Sequence, residues 1–235
     1  MSTLRVDLNA DLGEEVTDDH GLLQVVTSAN VACGYHAGTP EVMRAVCAEA
    51  VRRGVTVGAQ VSYADRTNFG RVVLDVAPRV LAEQVADQVG VLAEIAGAAG
   101  GSVAYLKPHG ALYHRAGAHE ETARAVLAGS GELPVLAMRG SLLLTLAAAL
   151  GRGVRLEGFP DRGYTSDGGL VPRSEPGALV TDAAVVAARA VALAADVDSV
   201  CVHGDSPGAV EHALGVRRAL EAAGIAVTSC WSSTG

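Results

Sequence analysis

Lys107 is the only lysine of the chain, set in Leu106-Lys107-Pro108-His109-Gly110 at the end of an apolar run, while every other permanently charged cation is arginine. A lysine kept where arginine is otherwise the rule points to chemistry that needs a compact ammonium whose pKa responds to burial, which a guanidinium cannot supply. Four more apolar runs end in polar clusters: Asp7-Leu8-Asn9-Ala10-Asp11, Cys33-Gly34-Tyr35-His36, Phe159-Pro160-Asp161-Arg162 and Val202-His203-Gly204-Asp205. In the first, Asp7, Asn9 and Asp11 alternate with Val6, Leu8 and Ala10, and the two-residue period of a strand puts all three polar side chains on one face. Two positions along a strand span roughly 6–7 Å, so Asp7 and Asn9 can share a ligand, whereas Asp7 and Asp11 hardly reach one ion.

His36, His109 and His203 stand at three strand ends, and histidine is the side chain best suited to proton transfer near neutral pH or to metal binding. The glycines flanking Tyr35-His36-Ala37 let backbone approach a ligand closely. His20, His119 and His212 sit in helical or polar contexts and read as surface residues, and His114 forms no i,i+4 pair with His109 of the kind found on a zinc-binding helix. Asp65-Arg66 and Asp161-Arg162 each set a guanidinium after a strand, and an arginine fork suits a carboxylate or a phosphate. Asp205 either orients the His203 imidazole or acts as a base itself.

These clusters need a frame that brings them together. Apolar runs at 4–9, 30–33, 55–59, 103–107, 134–138, 155–159, 199–203 and 225–229 read as strands, alternating with helical patterns near 21–28, 40–53, 78–99, 119–128, 141–151, 181–195 and 207–223. Pro40, Pro78 and Thr181-Asp182 mark helix starts, and Gly54, Gly100, Gly153 and Gly224 mark stops. Residues 163–180 have no helical period and read as a long loop or small hairpin. Seven or eight strand-helix units with no linker predict one domain over residues 1–235, an α/β fold closed or nearly closed into a barrel, in which ligands bind at the carboxyl ends of the strands. The polar clusters lie at those ends, whereas connections such as Arg52-Arg53-Gly54 hold nothing chemical.

Apolar residues make up 49% of the chain and aromatics 3%, so the core is expected to be built from small aliphatics. A net charge of -8 without a basic run, and a single Trp231 as the only indole, disfavour nucleic acid and anionic membrane as partners. The first residues lack a signal-peptide pattern, and the expected location is the cytoplasm. Cys33, Cys47, Cys201 and Cys230 show no metal spacing, and Cys47 and Cys201 read as buried structural thiols. There is no phosphate-binding G-x-x-x-x-G-K-[ST] loop and no G-x-S-x-G elbow, so any nucleotide is expected on another subunit.

Taken in order, Asp7 to Glu14, Ser28 to Gly38, Asp65-Arg66 with Phe69-Gly70-Arg71, Lys107-Pro108-His109-Gly110-Ala111-Leu112-Tyr113, Asp161-Arg162-Gly163-Tyr164 and Cys201-Val202-His203-Gly204-Asp205 resemble the LamB/YcsF family, the A subunits of prokaryotic 5-oxoprolinase, over nearly the whole chain. The resemblance implies a distorted (β/α) barrel of seven or eight strands, similar to the glycoside hydrolase/deacetylase superfamily. It implies opening of the lactam of 5-oxoproline to L-glutamate, coupled to ATP hydrolysis, in a complex with subunits B and C that bind or share the ATP. Where the family usually has Gly-Ala-His-Pro, this chain has Gly58-Ala59-Gln60-Val61, a neutral amide in place of a titratable ring. Metal binding of the superfamily type would use Asp11, His36 and His109, and the sequence leaves the metal unknown.

Hydrolysis of an amide needs an activated water, stabilisation of the tetrahedral oxyanion and a proton for the leaving nitrogen. The expected catalytic residues are Asp11 or Asp7 as base, Lys107 for oxyanion or phosphoryl charge and His109 for proton transfer. Arg162 or Arg66 would hold the substrate carboxylate, with Asn9, His36, Asp161, His203 and Asp205 completing the substrate site. A metal-dependent carbohydrate deacetylase and a non-catalytic subunit that positions substrate are the competing readings.

Overall fold

The first strand, β1 (Arg5–Leu12), is paired on both sides along its length and closes a ring. The computed structural model describes residues 4–16, 18–203 and 208–231. Around the ring follow β2 (Ser28–Ala32), β3 (Thr56–Val61), β4 (Val103–Pro108), β5 (Val135–Met138), β6 (Val154–Gly158) and β7 (Ser199–Val202), and β7 returns to β1, all in parallel. The result is a closed barrel of seven strands. An eighth strand, β8 (Ala226–Val227), pairs only with Arg5 and Val6 below the closure and stays outside the ring.

Among the described residues eight helices cover the outside: α1 (Asp19–Leu23), α2 (Pro40–Arg53), α3 (Pro78–Ala98), α4 (Gly110–Ala118), α5 (Glu120–Gly129), α6 (Leu142–Ala149), α7 (Ala183–Leu193) and α8 (Ala209–Ala222). Their ends follow local chemistry. The Thr39 hydroxyl accepts from the Val42 N–H with Pro40 in the first turn, Gly54 closes α2 at φ 70°, and Asp182 accepts from the N–H groups of Ala184 and Val185. The sequence pattern gives no sign of α4. Its nine residues include two glycines, it starts from His109 without a side-chain cap, and it forms because Leu112 and Ala116 bury against the barrel. α1 is also shorter than its pattern, ending at Leu23 so that β2 begins at Ser28.

Strand residues alternate between two environments. Val6, Leu8, Ala10, Leu12, Val31, Val57, Ala59, Val61, Leu106 and Val200 point outward into the aliphatic layer under the helices. The alternate positions fill the barrel, and most of those are polar. At its amino end Trp231 stacks flat on Tyr105, with ring centroids 4.1 Å apart, and Arg155 lies over the indole. Gly58 makes room for this plug, since a Cβ there would fall 2.2 Å from the Tyr105 ring.

Candidate active site

A cavity of about 350 Å³ opens at the carboxyl ends of the strands, lined by Asp11, Glu14, Lys107, His109, Phe159 and His203 from the barrel mouth. Arg71, Tyr113, His114 and the segment carrying Arg162, Leu170, Val171, Pro172 and Arg173 form its outer wall. Cationic groups dominate the lining, against the negative charge of the whole chain, which suits a small anionic ligand.

The interior column below the cavity explains the alternating Asp7, Asn9 and Asp11. Asp7, fully buried, accepts from Thr27 Oγ1 at 2.6 Å, from Ser28 Oγ at 2.7 Å and from the Ser199 hydroxyl. Burial still pushes its carboxyl up, against those three donors. Asn9 donates to Ser199 Oγ at 2.6 Å and accepts from Asn30 Nδ2 at 2.7 Å. Both residues lie beneath the cavity and do not line it, which corrects their expected roles as base and substrate ligand. Only Asp11, two steps further up the strand, reaches the mouth.

There Lys107 joins two carboxylates. Its ammonium lies 3.2 Å from Asp11 Oδ1 and 2.9 Å from Glu157 Oε2, and it also donates toward Cys201 Sγ at 3.2 Å. Burial alone would lower the Lys107 pKa and raise that of Asp11. The mutual attraction outweighs it in both, so Lys107 is held well above its ordinary value and Asp11 well below. One ammonium cannot neutralise two carboxylates, and burial pushes the enclosed Glu157 up, Lys107 and a Tyr113 hydrogen bond only partly opposing it. Burial likewise keeps the Cys201 thiol protonated.

Against the same Phe159 ring that Lys107 approaches sits a second pair. Asp161 accepts the His203 backbone N–H at 2.9 Å and faces the ring Nδ1 with both oxygens at 3.0 Å. Burial would raise the Asp161 pKa, but the imidazole beside it holds the carboxyl below its usual range. An ionised Asp161 can only accept, so the proton of a neutral His203 sits on Nδ1 and Nε2 presents a lone pair. The His203 ring is stacked on Phe159 at 5.2 Å and lines the cavity. Asp161 therefore orients His203, where the sequence suggested a substrate ligand.

The third group is Glu14, His36, Gln60 and His109. The chain folds back after β1 at Gly13, φ 73°, which brings Glu14 under the mouth. His109 Nε2 meets the Phe69 carbonyl at 3.1 Å, and its Nδ1 meets Gln60 Nε2 at 3.0 Å. Phe69 and Gly70 both have positive φ, 57° and 66°, a backbone geometry that costs energy at a phenylalanine and aims its carbonyl at the imidazole. Burial, with His36 close by, lowers the His109 pKa well below its ordinary value, so the ring is neutral and engaged at both nitrogens. It is poorly placed to carry a proton to substrate. His36 packs behind it, ring centroids 4.1 Å apart, and does not line the cavity.

Of the remaining expected residues, Arg162 lines the cavity while its Nε and Nη2 donate to the carbonyls of Ala178 and Val171, pinning the 163–180 segment over the mouth. Arg66 is turned away. It donates to the carbonyls of Gly34 and Gly38 and pairs with Glu15 at 3.0 Å, so it clamps the His36 loop. Asp205 lies outside the described residues. The sequence reading missed Glu14, Glu157, His114, Arg71 and Arg173. Glu157 carried a usable signal, since it alternates with Leu156 and Gly158 in β6 just as Asp7, Asn9 and Asp11 do with their neighbours in β1.

Residues 6–234 match the LamB/YcsF family over almost the entire chain. The chain belongs to the LamB/YcsF family. A LamB/YcsF relative, the 5-oxoprolinase A subunit of Streptomyces coelicolor, is 53% identical across 94% of this chain and 98% of its own length. The crystal structure of a lactam utilization protein from Thermus thermophilus is similar at a TM-score of 0.89 with 36% identity, covering 95% of this chain and 99% of that one. A family 4 carbohydrate esterase from Streptomyces lividans, 14% identical with a TM-score of 0.55 over 98% and 95% of the two chains, shares the deacetylase-like barrel alone.

The metal set expected for that barrel does not assemble in this LamB/YcsF chain. Asp11 Oδ1 is occupied by Lys107 and by Asn30 Nδ2 at 2.9 Å, and Asp11 Oδ2 lies 4.0 Å from His109 Nδ1. Glu14, His36 and His109 do come together, with possible ligand atoms within 4.8 Å of one another. The Gln60 amide, however, stands against two of them. No helix among the described residues is long and apolar enough to cross a membrane.

Proposed function

We propose that this chain is the A subunit of an ATP-dependent 5-oxoprolinase and that its cavity opens the lactam of 5-oxoproline to give L-glutamate. The carrying observation is the Asp161–His203 pair facing the same small cationic cavity as Lys107. Held by Asp161, His203 Nε2 takes a proton from water as the oxygen attacks the lactam carbonyl. Lys107 Nζ stabilises the tetrahedral oxyanion, and the His203 imidazolium returns its proton to the ring nitrogen as the C–N bond breaks. This moves the proton-transfer role from His109 to His203. Asp11 holds the Lys107 ammonium in place and is too stable as an anion to serve as an effective base. Arg162, with Arg71 and Arg173 beside it, faces the substrate carboxylate.

An unactivated lactam carbonyl is a poor electrophile, and phosphorylation of its oxygen at the expense of ATP on partner subunits B and C makes it a better one. On that route Lys107 faces the phosphoryl oxygens in place of an oxyanion, C–N cleavage after water attack leaves γ-glutamyl phosphate, and a second water releases L-glutamate and inorganic phosphate. The cationic lining suits a substrate that bears a phosphoryl group as well as a carboxylate. The names of the relatives from Streptomyces coelicolor and Thermus thermophilus support this reading. The experiment is reconstitution with both partner subunits, measuring glutamate release from 5-oxoproline. Release that requires ATP and this chain, and that falls in a His203→Ala variant within an intact complex, is the expected result. Undiminished release by that variant leaves the chain with a positioning role only, and deacetylation of acetylated sugars in its place would reject the assignment.

A further inference from the structure

Glu14, His36 and His109 make the donor set of a three-ligand metal centre, one carboxylate and two imidazoles, all buried. The side chain of Gln60, itself fully buried, projects from β3 between two members of that set. Its Nε2 lies 2.8 Å from Glu14 Oε1 and 3.0 Å from His109 Nδ1.

The proton positions follow from the partners. The Phe69 carbonyl can only accept, so the His109 proton is on Nε2, and Nδ1 presents its lone pair to Gln60. The amide NH2 supplies one hydrogen to that lone pair and the other to the Glu14 carboxylate. The flipped amide would set its oxygen against an oxygen and a lone pair, which rules that orientation out. We propose that the Gln60 carboxamide takes the place of a divalent cation between Glu14 and His109, and that the site performs its chemistry with no resident metal.

A cation entering the cluster would have to displace both N–H groups from the acceptors that now satisfy them, inside a buried site. Lys107, 3.2 Å from Asp11, already supplies the fixed positive charge that a metal would bring to the barrel mouth. The two tasks of a metal, cross-linking the ligands and carrying charge, are thus divided between an amide and an ammonium. Gln60 acts as a positioning residue that fixes the His109 tautomer and the Glu14 rotamer in the cavity wall. His36, its Nε2 3.6 Å from Glu14 Oε1, keeps both ring nitrogens without a close hydrogen-bond partner among the described residues, so a single change at Gln60 can convert the cluster.

The test uses the full-length chain and the bare ions, and needs no activity. Titration of wild-type protein with Co2+ should give no visible d–d absorption from a bound ion, and the purified chain should carry no stoichiometric Zn2+. Imidazole 15N spectra should show His109 as the neutral Nε2–H tautomer and should lose that signature in Gln60→Ala. Gln60→His, which offers a fourth ligand where the amide was, should acquire a saturable Co2+ spectrum that a further Glu14→Gln change removes. Wild-type protein that binds Co2+ one to one through Glu14 overturns the proposal, as does an Nδ1–H tautomer at His109 or a folded Gln60→His chain that binds no ion. The wild-type measurements decide even where a variant does not fold, and they stand apart from which cyclic amide the enzyme opens.

Discussion

Replacing Lys107 by methionine keeps most of the unbranched side chain and removes its charge from a site where the whole residue is only 3% exposed. The ammonium faces Glu157 Oε2 at 2.9 Å and Asp11 Oδ1 at 3.2 Å. At an effective dielectric of about 20, a contact near 3 Å corresponds to roughly 5 kcal/mol of Coulomb attraction. Most of that is offset by desolvation of the three charges, and removing one partner of a buried pair costs about 3–5 kcal/mol because the other is left uncompensated. Glu157, already pushed up by burial, takes a proton when Lys107 is gone, so the loss belongs near the lower end, about 3 kcal/mol. Urea denaturation of wild type, Lys107→Met, Glu157→Gln and the double variant measures it. The sign with pH is fixed by the shifts. The raised Lys107 contributes below its unfolded value of 10.5 and the depressed Asp11 above its unfolded value of 3.8, so the deficit is largest between them and shrinks as acid protonates Glu157 and then Asp11. A Lys107→Met chain as stable as wild type near neutral pH, or single effects that add within about 0.5 kcal/mol, would refute the reasoning.

In the reconstituted complex, His203→Ala and Asp161→Asn should each lower kcat by about 10²- to 10⁴-fold with a much smaller change in KM, and stopped-time glutamate assays read both. Glu14 has a pKa raised by burial, so its charge weakens the fold as pH rises above 4.5. Glu14→Gln should therefore gain stability relative to wild type with rising pH, and a constant difference across that range in urea melts would contradict the assignment. Gly70→Ala puts a Cβ 2.2 Å from Ser62 Oγ and 3.3 Å from His109 Cδ2 at φ +66°. The left-handed backbone and the clash together should cost about 2–4 kcal/mol in denaturation experiments and should shift the His109 ring signals.

The parallel barrel was legible because each strand is a short apolar run followed by a helix-period segment, and because the polar clusters all fall at one end of the runs. α4 was not, since a nine-residue helix with two glycines draws its stability from the packing of Leu112 and Ala116, which no local pattern records. Lys107, His109, Asp11, Arg162 and His203 were visible as chemistry-bearing types and do share the cavity. Arg66 looked equivalent to Arg162 because both follow an aspartate after a strand, yet one clamps a loop and the other lines the mouth.

The chain by itself determines the alternation that sends Asp7, Asn9 and Asp11 inward and the lone lysine that marks the mouth, because side-chain period and composition are local properties. Tertiary structure alone decides that Lys107 meets Glu157, that Asp161 holds His203, and that Gln60 stands between Glu14 and His109. The partners in these four contacts lie 42 to 50 residues apart and belong to different strands or loops. Whether they meet depends on closure of the ring and on strand register, and a slip of one residue would turn a strand's side chains to the opposite face of the sheet.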